Sequence, residues 1–164
     1  MRLLCLSLCL AFLAAPAAAG CFGAGQGLMR CTVKEGARQL DLCLQGGVLI
    51  YRYGPPEGPA EMLLARPVTE VEMLPWPGIG RYFWEVLTLY NGPVAYELYV
   101  SADRLDLEAP AEGGVTVIED GEALAQLTCD PGTLTEMDLY PVFEAKEAAG
   151  QRYCPESQAW DGAC

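Results

Sequence analysis

The 164-residue sequence contains no histidine, the side chain that most often acts as a general base near neutral pH. Serine–histidine–aspartate triads and cysteine–histidine nucleophile pairs are therefore excluded. A phosphate-binding loop and a dinucleotide fingerprint are also missing. The Gly-x-Gly-x-Gly stretch after Cys21 neither follows a predicted strand nor opens a convincing helix. These absences predict a protein that is not an enzyme and uses no cofactor.

Basic side chains are scarce. The chain has 10 Lys and Arg against 22 Asp and Glu, a formal net charge of −12 at pH 7. Such a charge repels nucleic acids and anionic membrane surfaces, so neither is expected as a partner. It favours a cationic protein partner. The alternative is that the acidity only keeps an exported protein in solution.

Metal-binding patterns are missing as well. Zinc sites use closely spaced cysteines, usually with histidine, whereas the cysteines here are widely spaced. The acidic loop that contains Asp103, Asp106 and Glu108 lacks the spacing of an EF-hand calcium loop. We therefore expect no metal site and a solvated acidic loop.

Long apolar runs are confined to the N-terminus. Arg2 precedes an apolar run from Leu3 to Leu13, and small residues end at Ala19, so residues 1–19 resemble a signal peptide. No later stretch approaches the ~20 apolar residues of a transmembrane helix. Cleavage after Ala19 predicts a periplasmic or secreted protein. A lipoprotein anchored at Cys21 is the alternative, because Ala18-Ala19-Gly20-Cys21 loosely resembles a lipobox.

The part of the chain after residue 19 carries an even set of cysteines, which indicates disulfides formed in an oxidising compartment. An even set also favours the soluble form, since lipidation of Cys21 would leave one thiol without a partner. Sequence alone allows 15 pairings of six cysteines. We expect three pairs, with the first the best supported: Cys154 with Cys164, Cys31 with Cys43, and Cys21 with Cys129.

Short apolar or alternating runs recur between glycine and proline turns. This pattern predicts a mainly β domain over residues 20–130, a single antiparallel barrel or sandwich of about eight strands. Residues 131–164 are expected to form a short helix, Pro141 to Ala149, and a disulfide-tied tail. The predicted strands are 28–33, 38–44, 48–53, 61–65, 68–73, 81–90, 94–101, 115–119 and 123–128.

The strands 81–90 and 94–101 are predicted to form a central hairpin around Asn91-Gly92. Because Pro93 has no N–H, we expect a four-residue loop, Tyr90 to Pro93, which places Leu89 opposite Val94. Both faces carry bulky apolar residues, so both are expected to be covered by other parts of the protein.

Glu85 is the best candidate for a catalytic residue. The predicted register places it on the apolar face with Leu87, where desolvation would raise the pKa of its carboxyl. The alternative is that a bulge turns Glu85 to solvent, or that Arg81 or Arg104 pairs with it.

The loop before the hairpin is the candidate partner-binding site. Tryptophan, tyrosine and arginine are the residues most enriched at binding hot spots, and glycines allow close approach of a partner. The alternative is that Trp76 and Tyr82 only cover the end of the barrel. The candidate residues are Trp76, Gly78, Ile79, Gly80, Arg81 and Tyr82.

At this loop the sequence resembles the small periplasmic β-barrel inhibitors of C-type lysozyme, in which a Ser-Gly-x-x-Tyr loop enters the lysozyme cleft. The nearest match here is Gly78-Ile79-Gly80-Arg81-Tyr82, or Gly78 and Tyr82 in a looser alignment. The motif serine is missing, with Pro77 beside Gly78 instead, and the family's second, lysine-containing motif has no counterpart. The chain resembles more closely a group of uncharacterised exported proteobacterial β-domain proteins, a likeness that implies no function. The residues that carry this second resemblance are Cys31-Thr32-Val33-Lys34, Cys43 and Tyr51-Arg52-Tyr53-Gly54.

The leading hypothesis is an exported, non-enzymatic protein that binds a cationic protein, such as lysozyme or another cell-wall hydrolase. The first alternative is a structural or accessory protein of the cell envelope. The second is a carboxylate-dependent glycan hydrolase that uses Glu85.

Overall fold

A computed structural model describes Cys21, residues 25–161 and Cys164. Two five-stranded antiparallel sheets form the body of the protein, which confirms the predicted mainly β, antiparallel fold. The predicted signal peptide, residues 1–19, lies outside the described residues. None of the helices in the described ranges is long and apolar enough to cross a membrane.

Each sheet is built largely from strands that follow one another along the chain. The first sheet has the order β10-β1-β2-β3-β4 and the second β5-β6-β7-β8-β9, while β11 and β12 form a separate hairpin. A single α-helix, α1, spans Tyr140–Ala148 among the described residues. The strands are β1 Gln26–Val33, β2 Arg38–Gln45, β3 Val48–Gly54, β4 Met62–Pro67, β5 Glu72–Leu74, β6 Tyr82–Asn91, β7 Val94–Asp103, β8 Glu112–Glu119, β9 Glu122–Thr128, β10 Glu136–Met137, β11 Tyr153–Cys154 and β12 Ala159–Trp160.

The two sheets share one hydrophobic core. Leu40 and Leu42 of β2 alternate with outward-facing residues, as the period-2 pattern predicts, and both are buried. Leu87 and Leu98, directly paired between β6 and β7, are also fully buried. Burying each such side chain contributes about 1.5–3 kcal/mol. These buried faces pack into a single cluster, to which α1 adds Val142 and the residue just before the helix adds Leu139.

The register of the central hairpin differs from the prediction by two residues. Asn91 pairs with Val94, so Leu89 lies opposite Tyr96 and the loop is Gly92-Pro93. Gly92 has φ of +61°, which suits the first central position of a type II′ turn. Pro93 then takes the second central position, where no N–H is required of it. A shift of two residues keeps every side chain on its predicted face.

Only one face of this hairpin is buried, contrary to the prediction. Glu85, Leu87 and Leu89 on β6 are buried, whereas Val86 and Thr88 between them are partly exposed. The strands of the second sheet therefore have one core face and one face that is partly open to solvent. This arrangement is common in antiparallel sheets.

The predicted strand 68–73 is wrong over its first half. Residues Val68–Glu70 form a short 3-10 turn, and a strand begins only at Glu72. The turn carries the chain from β4, the edge of the first sheet, to β5, the edge of the second. At the other end of the hairpin, the acidic loop is shorter than the gap between the predicted strands 94–101 and 115–119, because β7 continues to Asp103 and β8 begins at Glu112.

The cysteine pairs are Cys21–Cys43, Cys31–Cys129 and Cys154–Cys164. The last pair confirms the prediction, whereas Cys31–Cys43 and Cys21–Cys129 are wrong. Cys31 lies opposite Leu40 on the core face of the first sheet, and Cys43 follows the buried Leu42 on strand β2 and so points to the other face. Two cysteines on opposite faces of a sheet cannot be bridged.

Candidate partner-binding surface

The loop between β5 and β6 has a defined shape. The indole Nε1 of Trp76 donates a hydrogen bond of 2.9 Å to the carbonyl oxygen of Ile79, which closes the loop on itself. Gly78 and Gly80 have φ of +83° and +99°, a region that favours glycine. The two glycines therefore allow the backbone path that the indole hydrogen bond holds.

A second segment braces this loop. The guanidinium of Arg104, just after β7, lies 4.5 Å from the centre of the Trp76 ring. Its Nη1 donates to the carbonyl oxygen of Gly80 at 2.8 Å, and its backbone N–H donates to the carbonyl oxygen of Arg81 at 3.0 Å. Sequence reasoning considered Arg104 only as a partner of Glu85. The hairpin register is the signal that could have placed Arg104 beside this loop, because Tyr82 pairs with Asp103 and residue 104 follows directly.

The positive charge of Arg81 is balanced by a neighbouring carboxylate. Its guanidinium forms a salt bridge with Asp103, with an Nη2–Oδ2 distance of 2.6 Å. The hydrogen bond from Arg81, with a further one from the Leu105 N–H, holds the pKa of the Asp103 carboxyl below its usual value. The Arg81 guanidinium also lies 5.6 Å from the centre of the Tyr82 ring. Arg81 therefore orders the base of the loop and is not a free charged anchor.

Four large apolar side chains are exposed on these two braced segments. Ile79 is 74% and Tyr82 51% exposed on the first segment, and Leu105 is 78% and Leu107 90% exposed on the second. We call these four residues the loop-tip surface. Exposed apolar residues that cluster together mark interaction sites more often than scattered ones do.

The six predicted binding residues thus have different roles. Ile79 and Tyr82 are exposed and available to a partner, whereas Trp76 is partly buried and packs edge-on against Phe83 at 5.8 Å. The two glycines and Arg81 shape the loop. The sequence interpretation missed Leu105 and Leu107, because their segment was treated only as an acidic loop.

Glu85 is buried, and the solvent-exposed alternative is wrong. Its side chain is 2% exposed, and Oε2 accepts a 3.0 Å hydrogen bond from the backbone N–H of Leu139 at the start of α1. Desolvation raises the pKa of its carboxyl to about 7, and the nearby Asp138 adds to the rise. The two arginines considered as partners are engaged elsewhere, with Asp103 and Trp76. A carboxyl so enclosed holds the helix start and is out of reach of a dissolved substrate.

Lys146 is a buried charged residue that sequence reasoning missed. It is 0% exposed, and its Nζ donates to the carbonyl oxygens of Val68 at 2.9 Å and Val71 at 2.6 Å. Burial lowers the pKa of its ammonium group. The available signal was its position four residues after Val142, which places both on one face of the helix.

Acidic side chains of the loop after β7 accept hydrogen bonds from the local backbone. Asp103 Oδ1 accepts from the N–H of Leu105 at 2.9 Å, and Asp106 Oδ1 accepts from that of Glu108 at 3.1 Å. Within the described part of the chain, no group of three or more His, Cys, Asp or Glu is arranged to hold a metal ion.

Comparison with protein-family models, with curated proteins and with solved structures gives no match for this chain. The described residues form a mainly β fold with three disulfides among them, which point to an oxidising extracellular or periplasmic environment.

Proposed function

We propose that this is an exported, non-enzymatic binding protein whose loop-tip surface docks on a cationic protein. The observation that carries the proposal is the braced pair of segments. Rigid loops that present exposed apolar side chains lose little conformational entropy on binding. The large side chains of this surface are exposed by 51–90% in the free chain.

Charge supports a cationic partner. Asp106 and Glu108 are exposed beside the two leucines of the loop-tip surface, within a chain of net charge −12. Arg81, by contrast, is already paired with Asp103. An apolar centre with an acidic rim fits the general anatomy of protein interfaces and would speed association with a basic partner.

Export as a soluble protein is supported by Cys21. Its thiol is bonded to Cys43, so it has no free sulfur to carry a lipid. Together with the signal-peptide pattern of residues 1–19, this disulfide favours the periplasmic or secreted form over the lipoprotein alternative.

Cell-wall hydrolases such as lysozyme are the class of partner that we propose to test first. The resemblance of Gly78 and Tyr82 to the loop of lysozyme inhibitors supports this choice. Since Pro77 replaces the motif serine, the contact would use the apolar side chain of Ile79 in place of a serine hydroxyl.

The test is lysozyme-driven clearing of a cell-wall suspension, with oxidised protein purified from periplasm, at low and at physiological salt. The loop variant carries Ile79→Ala and Tyr82→Ala. Its matched control is Leu124→Ala on β9, a residue that is 58% exposed but lies on another part of the protein. We expect wild type and control to inhibit at both salt concentrations and the loop variant to be at least tenfold weaker.

Inhibition only at low salt would contradict the proposal, because unspecific attraction between opposite charges is screened at physiological salt. Equal inhibition by the loop variant would show that the loop-tip surface is not the docking site. Absence of inhibition at either salt would exclude lysozyme and favour the envelope accessory alternative. Recovery of a basic periplasmic protein by wild type, but not by the loop variant, would then identify another partner of the proposed class.

A further inference from the structure

A groove runs between the Trp76 loop and the C-terminal segment, with a volume of about 310 Å³. Pro75, Trp76 and Pro77 form one wall. Tyr140 and Phe143 of α1, with Tyr153 of β11, form the other wall. We call this surface the aromatic groove. It lies beside the loop-tip surface but shares none of its four residues.

The walls of the aromatic groove are ordered in the free protein. Tyr140 and Phe143 stack with ring centres 5.2 Å apart and an interplanar angle of 8°, and Phe143 meets Tyr153 edge-on at 5.8 Å. Trp76 is held on the opposite side by its hydrogen bond to the carbonyl oxygen of Ile79. A ligand therefore meets a preformed site and loses less free energy to ordering.

The lining of the aromatic groove offers no ion pair to a charged ligand group. The residues that line the groove are aromatic residues, prolines and Gln158, with no ionised side chain among them. The phenol hydroxyls of Tyr140 and Tyr153 and the amide of Gln158 can donate hydrogen bonds from the walls.

An extended proline-containing segment fits this lining. A polyproline II helix has no internal backbone hydrogen bonds, so its carbonyl groups are free to accept hydrogen bonds from donors on the walls. Aromatic-lined grooves are the usual docking sites for such segments, because the segment is already extended before it binds.

The charge at the rim indicates what flanks that segment. Four exposed charged residues lie within two positions of a residue that lines the groove. Three of them are acidic, Asp138, Glu144 and Glu156, and one is basic, Arg152, so the rim is acidic on balance. Basic residues next to the prolines would lie near these carboxylates. We propose that the aromatic groove binds an extended, proline-containing peptide segment with basic flanks.

This inference rests on the proposed function in one respect: the segment would belong to the same cationic partner. Its test does not use that partner. The probe is a labelled peptide of consecutive prolines flanked by arginines, with binding measured by fluorescence anisotropy at physiological salt. A second probe keeps the arginines and replaces the prolines by glycine and serine.

Tyr140→Ala removes the most exposed ring of the groove, at 46% exposure, and Gln158→Ala removes an exposed amide. Tyr140→Phe and Leu124→Ala are the matched controls. We expect the proline probe to bind wild type, with at least a tenfold loss in Tyr140→Ala, a severalfold loss in Gln158→Ala and little change in Leu124→Ala. Tyr140→Phe should retain most of the affinity.

Equal binding of the two probes, or no binding of the proline probe, would overturn the inference. Binding of an N-acetylglucosamine oligomer that depends on Tyr140, without binding of the proline probe, would overturn it in favour of a glycan site. The Ile79→Ala, Tyr82→Ala variant should bind the proline probe as wild type does. The experiment therefore distinguishes failure of the peptide-binding inference from failure of the proposed docking function.

Discussion

Two places in this protein use the same set of contacts. The ammonium of Lys146 lies 4.6 Å from the centre of the Trp160 ring, and the guanidinium of Arg104 lies 4.5 Å from that of Trp76. Each cation also donates to backbone carbonyl oxygens. Each indole N–H donates to a carbonyl oxygen as well, that of Met73 at 2.7 Å or that of Ile79 at 2.9 Å.

The two places differ in exposure, and the difference separates fold from function. Lys146 is 0% exposed and ties α1 to the turn between the sheets, so its contacts cannot be replaced by water. Arg104 lies at the surface, where water can take over its hydrogen bonds. The first set of contacts is therefore required for stability, whereas the second mainly shapes the loop-tip surface.

The largest expected effect is at Lys146. Lys146→Met preserves much of the side-chain volume but leaves the carbonyl oxygens of Val68 and Val71 without their donor. An unsatisfied buried polar group costs about 1–3 kcal/mol, so we expect a loss of about 2–4 kcal/mol in the free energy of unfolding. Urea unfolding of the oxidised protein measures this loss, with the exposed residue substitution Glu144→Gln as control. A loss no larger than that of the control would show that the buried ammonium is dispensable.

The second effect concerns Glu85 and pH. Its pKa is about 7 in the folded protein and 4.5 in the unfolded reference, so the folded state binds the proton more tightly. This group therefore stabilises the fold below about pH 4.5 and loses that contribution as pH rises through about 7, a change of about 3 kcal/mol.

Glu85→Gln removes this titration. We expect the variant to gain stability relative to wild type as pH rises from about 5 to about 8, by roughly 2–3 kcal/mol. Chemical unfolding of both proteins at several pH values measures the difference, and other titrating groups cancel in it. A difference that does not vary with pH would show that Glu85 keeps an ordinary pKa.

The third effect separates the two indoles. Trp160→Phe removes the donor to the carbonyl oxygen of Met73 beside the core, and Trp76→Phe removes the donor to that of Ile79 in the loop. We expect about 1–2 kcal/mol of destabilisation for the first and less than about 0.5 kcal/mol for the second. Thermal unfolding of both variants and of wild type, all at one pH, provides the measurement. The reverse order would contradict the assignment of Trp76 to the surface.

A small effect on stability is expected at Arg104. Arg104→Met should cost less than about 1 kcal/mol, because an exposed cation–aromatic contact is weak. It should nevertheless speed amide hydrogen exchange at Arg104 itself and around Gly80, since the guanidinium no longer holds the loop. Arg104→Lys is the control, as it keeps the charge. Unchanged exchange in Arg104→Met would show that Arg104 does not brace the loop.

The sequence predicted elements whose signals are local. The helix was placed at 141–149 from its proline and the following glycine and spans Tyr140–Ala148, and Cys154 pairs with Cys164 within one short tail. Alternation along β2 also identified Leu40 and Leu42 as core residues.

The features that were missed depend on long-range contacts. Cys31 and Cys129 are 98 residues apart, and their pairing follows from how β1 meets the end of the second sheet. The spacing from Val142 indicates the buried face for Lys146, but its partners, the carbonyl oxygens of Val68 and Val71, are brought beside it only by the fold. The hairpin register turned on one choice, whether the loop is the four residues Tyr90 to Pro93 or the two residues Gly92-Pro93.

The most direct test of the account is a hydrogen-exchange footprint of the oxidised protein with and without lysozyme at physiological salt. The account predicts added protection in residues 75–82 and 104–108, with β9 unchanged as an internal reference. Protection that appears instead on β9, or spread evenly along the exposed segments, would contradict the assignment of the loop-tip surface as the docking site.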